Sequence, residues 1–253
     1  RQAKYWSNKT MSFEEICNRL KTPIRTTETS EEYPKLPKGQ RDDIKDKGGF
    51  VGGHLREGLR KVDYVDCRSL WTPDLDDATP EFVASLHEKI HFLCTVYSTH
   101  GHTPEAPRLR LVAPFSRDVS PDEFSAISRF LAADIGIGMF DVCSFTPNQL
   151  MYWPTCPSNG DYLFDTFEGE LLDPDAILTA HPNWRDCSLL PTTPRESKVS
   201  RPSLKQQEDP LNKPGIVGAF CRAYSIEAAI DAFLPDIYKP SVVEGRRDYV
   251  QGT

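Results

Sequence analysis

Alternation at one-residue spacing constrains this chain more than any other feature. Asp74-Leu75-Asp76, Ser98-Thr99-His100 and Arg108-Leu109-Arg110 each repeat a reactive type of side chain two residues apart. In an extended strand successive side chains point to opposite faces, so residues two apart share a face. Asp74 and Asp76 therefore project together, Ser98 with His100, and Arg108 with Arg110. Paired carboxylates on a rigid strand suit a hard divalent cation such as Mg²⁺, which prefers oxygen ligands plus substrate phosphates. Paired guanidinium groups match phosphate geometry bidentately. A third acid, Asp141, follows at the start of another predicted element. Together these residues describe a metal-nucleotide site.

The sequence between the pairs alternates strand and helix signals. Tyr64 to Asp76 reads as a strand interrupted by Pro73, which removes a ladder donor. Thr79-Pro80-Glu81 is a helix start, and that helix sends Phe82, Leu86 and Ile90 to the core. The β-branched and aromatic run Thr95 to Thr99 predicts a strand ending at His100, and a turn over 101–107 leads into a strand over 108–114. Ser120-Pro121-Asp122-Glu123 combines a capping box with proline at the first helical position, predicting a helix to about Ala133. Strands near 149–153 and 161–167 precede a helix starting at Asp173-Pro174.

The flanks read differently. Ser12-Phe13-Glu14-Glu15 opens a short helix through about Leu20, and residues 21–47 are polar, with Pro23, Pro34 and Pro37. Gly48-Gly49-Phe50-Val51-Gly52-Gly53 lacks the Gly-Lys-Ser/Thr ending of a phosphate-binding loop. It reads as a turn between elements, with a loop approaching substrate as the alternative. Residues 191–215 are rich in Pro, Ser, Lys and Gln and read as a linker, and an amphipathic helix runs from Ser225 to about Leu234. The organisation is one α+β domain over 1–190, a linker over 191–215 and a C-terminal helical tail over 216–253.

Composition narrows the class. At 38% hydrophobic residues the chain can bury a core, and its formal net charge of −7 disfavours coating nucleic acid by bulk electrostatics. No apolar run approaches a membrane span and no secretory leader opens the chain. Seven scattered cysteines without a Cys-x-x-Cys pair argue for reduced thiols in a cytoplasm. The first residue is Arg1, not Met, which reads as a fragment of a longer product.

Two bland alternatives compete with the metal-nucleotide reading. His87-Glu88-Lys89-Ile90-His91 fits the zincin pattern of two imidazoles on one helical face with a glutamate base. The chain turns to strand within four residues of His91 and offers no third ligand, so an ordinary amphipathic helix is the better reading. The acid string could also be a solvated strand end that caps the next helix; Asp77, pointing opposite to Asp76, fits that role.

The order acid strand, helix, Ser-x-His strand, Arg strand, helix, acid resembles the archaeo-eukaryotic primase superfamily. Specifically, it resembles the primase-polymerase module of phage and prophage replication proteins, which often carry a helicase domain of the virulence-associated E type downstream. Further matching strings are Lys45 to Gly53, Tyr97 to Pro104, Leu150 to Pro154 and Lys213 to Cys221, so the resemblance spans roughly residues 12–240. It implies a primase-polymerase fold: an RRM-like antiparallel sheet flanked by helices, with an N-terminal α/β unit. It further implies a template-directed nucleotidyltransferase, a DNA primase or DNA polymerase, in a phage- or prophage-infected bacterial cytoplasm. Asp74, Asp76 and Asp141 would hold two Mg²⁺ or Mn²⁺ ions, Ser98 and His100 would contact the incoming triphosphate, and Arg108 and Arg110 would bind further phosphates, with the template as the alternative for at least one of them. Implied partners are single-stranded DNA template or primer, nucleoside triphosphates and a C-terminally fused helicase domain, with no membrane. Lys45, Lys47, Arg195, Lys198, Arg201 and Lys205 are weaker candidates for backbone contact, and Tyr152 or Trp153 for base stacking. Asn148-Gln149 stands where the family's pattern has a basic residue. The competing class is a non-catalytic module that binds single-stranded nucleic acid without metal.

Overall fold

The computed structural model describes residues 3–198, 211, 215–235, 238–240 and 250–252. Its helix starts follow directly from the capping residues. Ser12 accepts the Glu15 N–H while the Glu15 carboxylate accepts the Ser12 N–H, opening α1 (Phe13–Leu20). Ser120 and Glu123 repeat that exchange, with Pro121 at the first position, to open α5 (Pro121–Ile135). Asp173 accepts two N–H groups at the start of α6 (Pro174–Ala180). The helix after Thr79 is broken into α3 (Pro80–Ala84) and α4 (Leu86–Lys89); Leu86 and Ile90 are buried, and Phe82 packs partly buried against the same core.

The main sheet contains β3 (Gly53–Leu55), β4 (Val65–Trp71), β5 (Asp74–Leu75), β6 (Cys94–Ser98), β7 (Leu109–Val119) and β10 (Phe164–Phe167). Its order is β10-β6-β7-β4-β3, with β5 also on β7, and every pairing is antiparallel. From β4 to β10 the main-sheet strands and their α-helices run β-α-β-β-α-β, the split arrangement of antiparallel α+β folds. The strand expected over 64–76 is two strands on one line. Pro73 donates nothing, but its carbonyl accepts the Leu111 N–H at 3.1 Å. Trp71 lies opposite Ala113 and Asp74 opposite Arg110, so the register survives the break.

Both sheet faces are covered. Leu109, Leu111, Ala113 and Phe115 share one core with Phe124 and Ile127 of α5. On the other face Tyr97, Val112 and Leu70 pack with Ile16 and Leu20 of α1. Arg110, between Leu109 and Leu111 in the strand, falls on this second face with its cross-strand neighbours Asp74 and Tyr97.

Two smaller pairings attach the N-terminal segment. β1 (Ile24–Arg25) runs parallel to β9 (Thr155–Cys156), and β2 (Gly49–Phe50) pairs antiparallel with β8 (Met151–Tyr152). Here the glycine string finds its reason. A Cβ on Gly49 would sit 2.3 Å from the Met151 carbonyl oxygen, and one on Gly53 2.0 Å from that of Cys67. These glycines admit close approach of protein backbone, so the string holds strand at Gly49–Phe50 and from Gly53, joined by a bend at Val51-Gly52, where the sequence suggested a turn between elements or a substrate loop. In the sequence α2 (Lys38–Lys45) lies between β1 and β2.

The chain divides into two compact units, residues 1–199 and 200–253. The first reaches past the expected boundary at 190: α7 (Pro194–Lys198) is held by Glu196, whose carboxylate accepts from Arg129 at 2.7 and 3.0 Å. The rest of the expected linker lies outside the described residues, apart from Leu211 and Gly215, as do Arg201 and Lys205. In the second unit α8 (Gly215–Ala223) is followed by α9 (Ile226–Phe233), capped by Ser225. Among the described residues no helix is long and apolar enough to cross a membrane.

Candidate active site

A cavity of about 450 Å³ opens beside the sheet face that carries Tyr97 and Arg110. That volume lies in the range of small-molecule sites. Asp74, Asp76, Ser98, His100, Arg108 and Arg110 all line it, so the three alternating strings do converge. Lys38, Arg41 and Lys45 of α2, with Tyr33 and Tyr152, complete much of the wall.

The acids and arginines meet through strand register. Arg110 stands opposite Asp74, and its Nε donates to Asp74 Oδ1 in a buried ion pair. Burial alone would lower the Arg110 pKa; Asp74 beside it more than offsets this and raises it. The other Asp74 oxygen accepts from Gln149 Nε2 at 2.9 Å. The Asn148-Gln149 departure is therefore filled by an amide that grips the acid. Further along, Arg108 lies 3.7 Å from Asp76, half exposed.

Asp141 is not part of the cavity lining but is tied to Asp74 through the backbone. Its N–H donates to the Asp74 carbonyl at 3.0 Å, beside the bridge between Leu75 and Phe140, and Ser144 Oγ accepts the Asp74 N–H at 2.9 Å. Its side chain caps the short turn Val142–Phe145 by accepting the Cys143 N–H at 3.2 Å. Burial raises the Asp76 pKa, and the charges of Asp74 and Asp141 raise it further against Arg108. Crowded carboxylates with hard oxygen donors fit a divalent cation in chemistry. Among the described residues no three His, Cys, Asp or Glu side chains are drawn together to hold one. Asp74, held by Arg110 and Gln149, is the carboxylate that would have to turn.

The Ser-x-His string behaves differently. Ser98 pairs with Leu109, which places its side chain on the α5 side of the sheet, and its hydroxyl accepts the Leu163 N–H at 3.0 Å. It shares the cavity wall with Asp74 and Arg110 but not their sheet face, because Tyr97 holds the matching position. His100, past the strand end, has a side chain only 2% exposed. Its Nε2 lies 2.8 Å from Glu28 Oε1, its Nδ1 2.9 Å from Thr155 Oγ1, and the Tyr33 ring packs 4.3 Å away. Burial lowers the His100 pKa and Glu28 pulls it back.

The decoys resolve on local geometry. α4 ends at Lys89 and Ile90 is extended, so His91 leaves the helical face of His87, whose Nε2 instead meets Asp165 at 2.9 Å. Trp153 is held between the Arg19 guanidinium, 3.6 Å from its ring centroid, and the Phe50 ring at 4.7 Å, a packing role. Arg195 pairs with Asp77 at 2.6 Å.

The model of one protein family, the VapE N-terminal domain, matches residues 1–193. The chain belongs to that family. A solved structure, the AEP domain of a cyanophage S-2L primase-polymerase, is similar at 19% identity over 57% of this chain and 76% of that one, with a TM-score of 0.40. No curated protein matches.

In this VapE N-terminal domain the cavity residues that the sequence left unassigned include Lys38 and Arg41 of α2, whose Lys45 was read only as a candidate for backbone contact, and the His100 partner Glu28 was unassigned too. α2 buries no side chain, contains Gly39 and follows Pro37 without a side-chain cap, so no apolar period or cap betrays it. Its spacing of Lys38, Arg41 and Lys45 was the available signal, since residues three and four apart share a helix face.

Proposed function

We propose that this domain is a template-directed nucleotidyltransferase of phage or prophage DNA replication, a primase or polymerase acting on nucleoside triphosphates and single-stranded DNA. The observation that carries this reading is the nucleotide-sized cavity whose lining joins Asp74 and Asp76 with five cations, Asp141 being hydrogen-bonded through its backbone to Asp74. Membership of the VapE N-terminal domain family supports it.

Asp74, Asp76 and Asp141 would hold two Mg²⁺ or Mn²⁺ ions, with Asp74 exchanging Arg110 for the metal. Bound there, such ions supply activation of the attacking hydroxyl and charge neutralisation on the leaving pyrophosphate. The protein's own groups bind and orient. Arg110, released from Asp74, faces the same cavity as a phosphate partner, and Arg108 at its rim contacts phosphate or template. Tyr152, flanked by Lys45 and Arg110 at 5.7 Å, offers a ring on which a base can stack. His100 forms a sealed floor and reaches a phosphate only if Glu28 yields.

The hold of Arg110 and Gln149 on Asp74 favours a second reading, a module that binds single-stranded nucleic acid without metal chemistry. Incorporation of labelled nucleotides on primed and unprimed single-stranded templates, with and without Mg²⁺ or Mn²⁺, separates the two. Metal-dependent synthesis supports the enzyme; template binding without synthesis supports the binding module.

A further inference from the structure

Charge pairing in the cavity is uneven. Its lining contains five cations, Lys38, Arg41, Lys45, Arg108 and Arg110, and three carboxylates, Asp42, Asp74 and Asp76. Arg110 is paired with Asp74, Arg108 lies near Asp76, and Lys45 meets Asp42 at 2.9 Å. Lys38 and Arg41 have no carboxylate partner among the described residues, and the excess positive charge of the cavity therefore lies on α2. Arg41 Nε is in addition buried with no hydrogen-bond partner. A buried guanidinium N–H without an acceptor is costly; the Nε itself is closed to solvent, so it is the rest of the Arg41 side chain, which lines the cavity, that can meet an anion there. In a chain of net charge −7, two unpaired cations on one helix face beside a cavity are a local feature that overall composition does not supply.

We infer that Lys38 and Arg41 of α2 form the seat for the triphosphate tail of the incoming nucleotide, in place of the sealed His100. The inference rests on the nucleotidyltransferase reading and extends it. Residues 38, 41 and 45 follow one face of α2 over about 10 Å, enough to follow a chain of phosphates instead of one. With the acids engaging the reacting end, the unpaired charge falls where the β- and γ-phosphates extend. Their sharing of one bounded cavity with Asp74 and Asp76 favours a nucleotide over a nucleic-acid backbone, which would follow an open groove. A monophosphate does not reach this seat, so the contribution of α2 must be specific to the tail.

The test is direct binding of dATP, ATP and dAMP to the whole chain by titration calorimetry, with and without Mg²⁺. Variants are Lys38→Ala, Arg41→Ala and Arg41→Lys, with Lys35→Ala as a control outside the cavity. Either alanine variant should weaken triphosphate binding about tenfold or more and leave dAMP within about twofold. Arg41→Lys should recover part of the loss. Lys38 is exposed, so its variant tests the seat even if Arg41→Ala fails to fold. Equal losses for dAMP and dATP, or unchanged dATP affinity in both variants, would overturn the seat while the nucleotidyltransferase reading stands. Loss of single-stranded DNA affinity with dATP affinity intact would assign α2 to the template instead and overturn it too. A parent protein that binds no triphosphate would overturn both.

Discussion

Asp74 and Arg110 face each other in register across β5 and β7, and their side chains close a buried ion pair at the wall of the cavity. Asp76, two residues on, is paired among the described residues only with the half-exposed Arg108, at 3.7 Å. The two acids of one motif therefore carry opposite energetic signs. Removing one partner of a buried pair leaves an uncompensated charge, typically about 3–5 kcal/mol. Asp74→Ala should lower stability by about that much, and Asp74→Asn by less because the amide oxygen still accepts. Chemical denaturation of both variants measures the difference.

Asp76 should behave the other way. Burial, then Asp74 and Asp141, raise its pKa above the usual 3.8, so the folded protein holds this proton more tightly than the unfolded chain does. Stability contributed by the neutral form is full below the unfolded pKa and is lost as pH rises through the raised one. Asp76→Asn should therefore melt higher than the parent at pH 7 and converge with it near about pH 3. A melting curve series from pH 3 to 8 reads this directly.

Arg68 is buried completely and, among the described residues, has no carboxylate beside it. It donates to the carbonyls of Gly52, Pro147 and Leu70 and to Thr72 Oγ1, all between 2.7 and 3.0 Å, with its guanidinium 4.0 Å from the centroid of the Phe124 ring. It joins the glycine string, β4 and the loop that presents Gln149. The Gly52 carbonyl keeps the Ser69 and Leu70 N–H groups, whereas each buried carbonyl left without a donor costs about 1–3 kcal/mol. Arg68→Ala should lose at least about 3 kcal/mol, roughly 6–12 °C in melting temperature for a domain of this size.

Glu28 seals His100. Glu28→Ala should free Nε2 and speed modification of His100 by diethyl pyrocarbonate, followed by peptide mass mapping. An unchanged rate would mean that Thr155 and the Tyr33 ring alone protect the imidazole.

Much of this was legible in the sequence, and the omissions have physical causes. The capping boxes at Ser12 and Ser120 set α1 and α5 because local side-chain to backbone bonds need no tertiary context. Pro73 marked a true break, although the register across it depended on β7. The alternation of Asp74 with Asp76 and of Arg108 with Arg110 was readable, but not that register would set Arg110 against Asp74. Period-two reasoning gave Ser98 and His100 a common face without saying which face. Gly49 and Gly53 needed the backbones of Met151 and Cys67 to explain them. The wall formed by α2 depends on contacts far along the chain, and so does Glu28.

The central claim is that the three acids run metal-dependent nucleotide addition. Its most direct test is incorporation of labelled nucleotide on a primed single-stranded template with Mg²⁺ or Mn²⁺, comparing the parent with Asp74→Asn, Asp76→Asn and Asp77→Asn. Asp77 is exposed and among the described residues pairs only with Arg195 at the surface, so its variant should stay within about twofold, as a surface ion pair contributes about 1 kcal/mol or less. The account predicts that Asp74→Asn and Asp76→Asn lose synthesis by orders of magnitude while template binding persists and Asp76→Asn is no less stable than the parent. Full metal-dependent synthesis by both variants, or none by the parent, would contradict it.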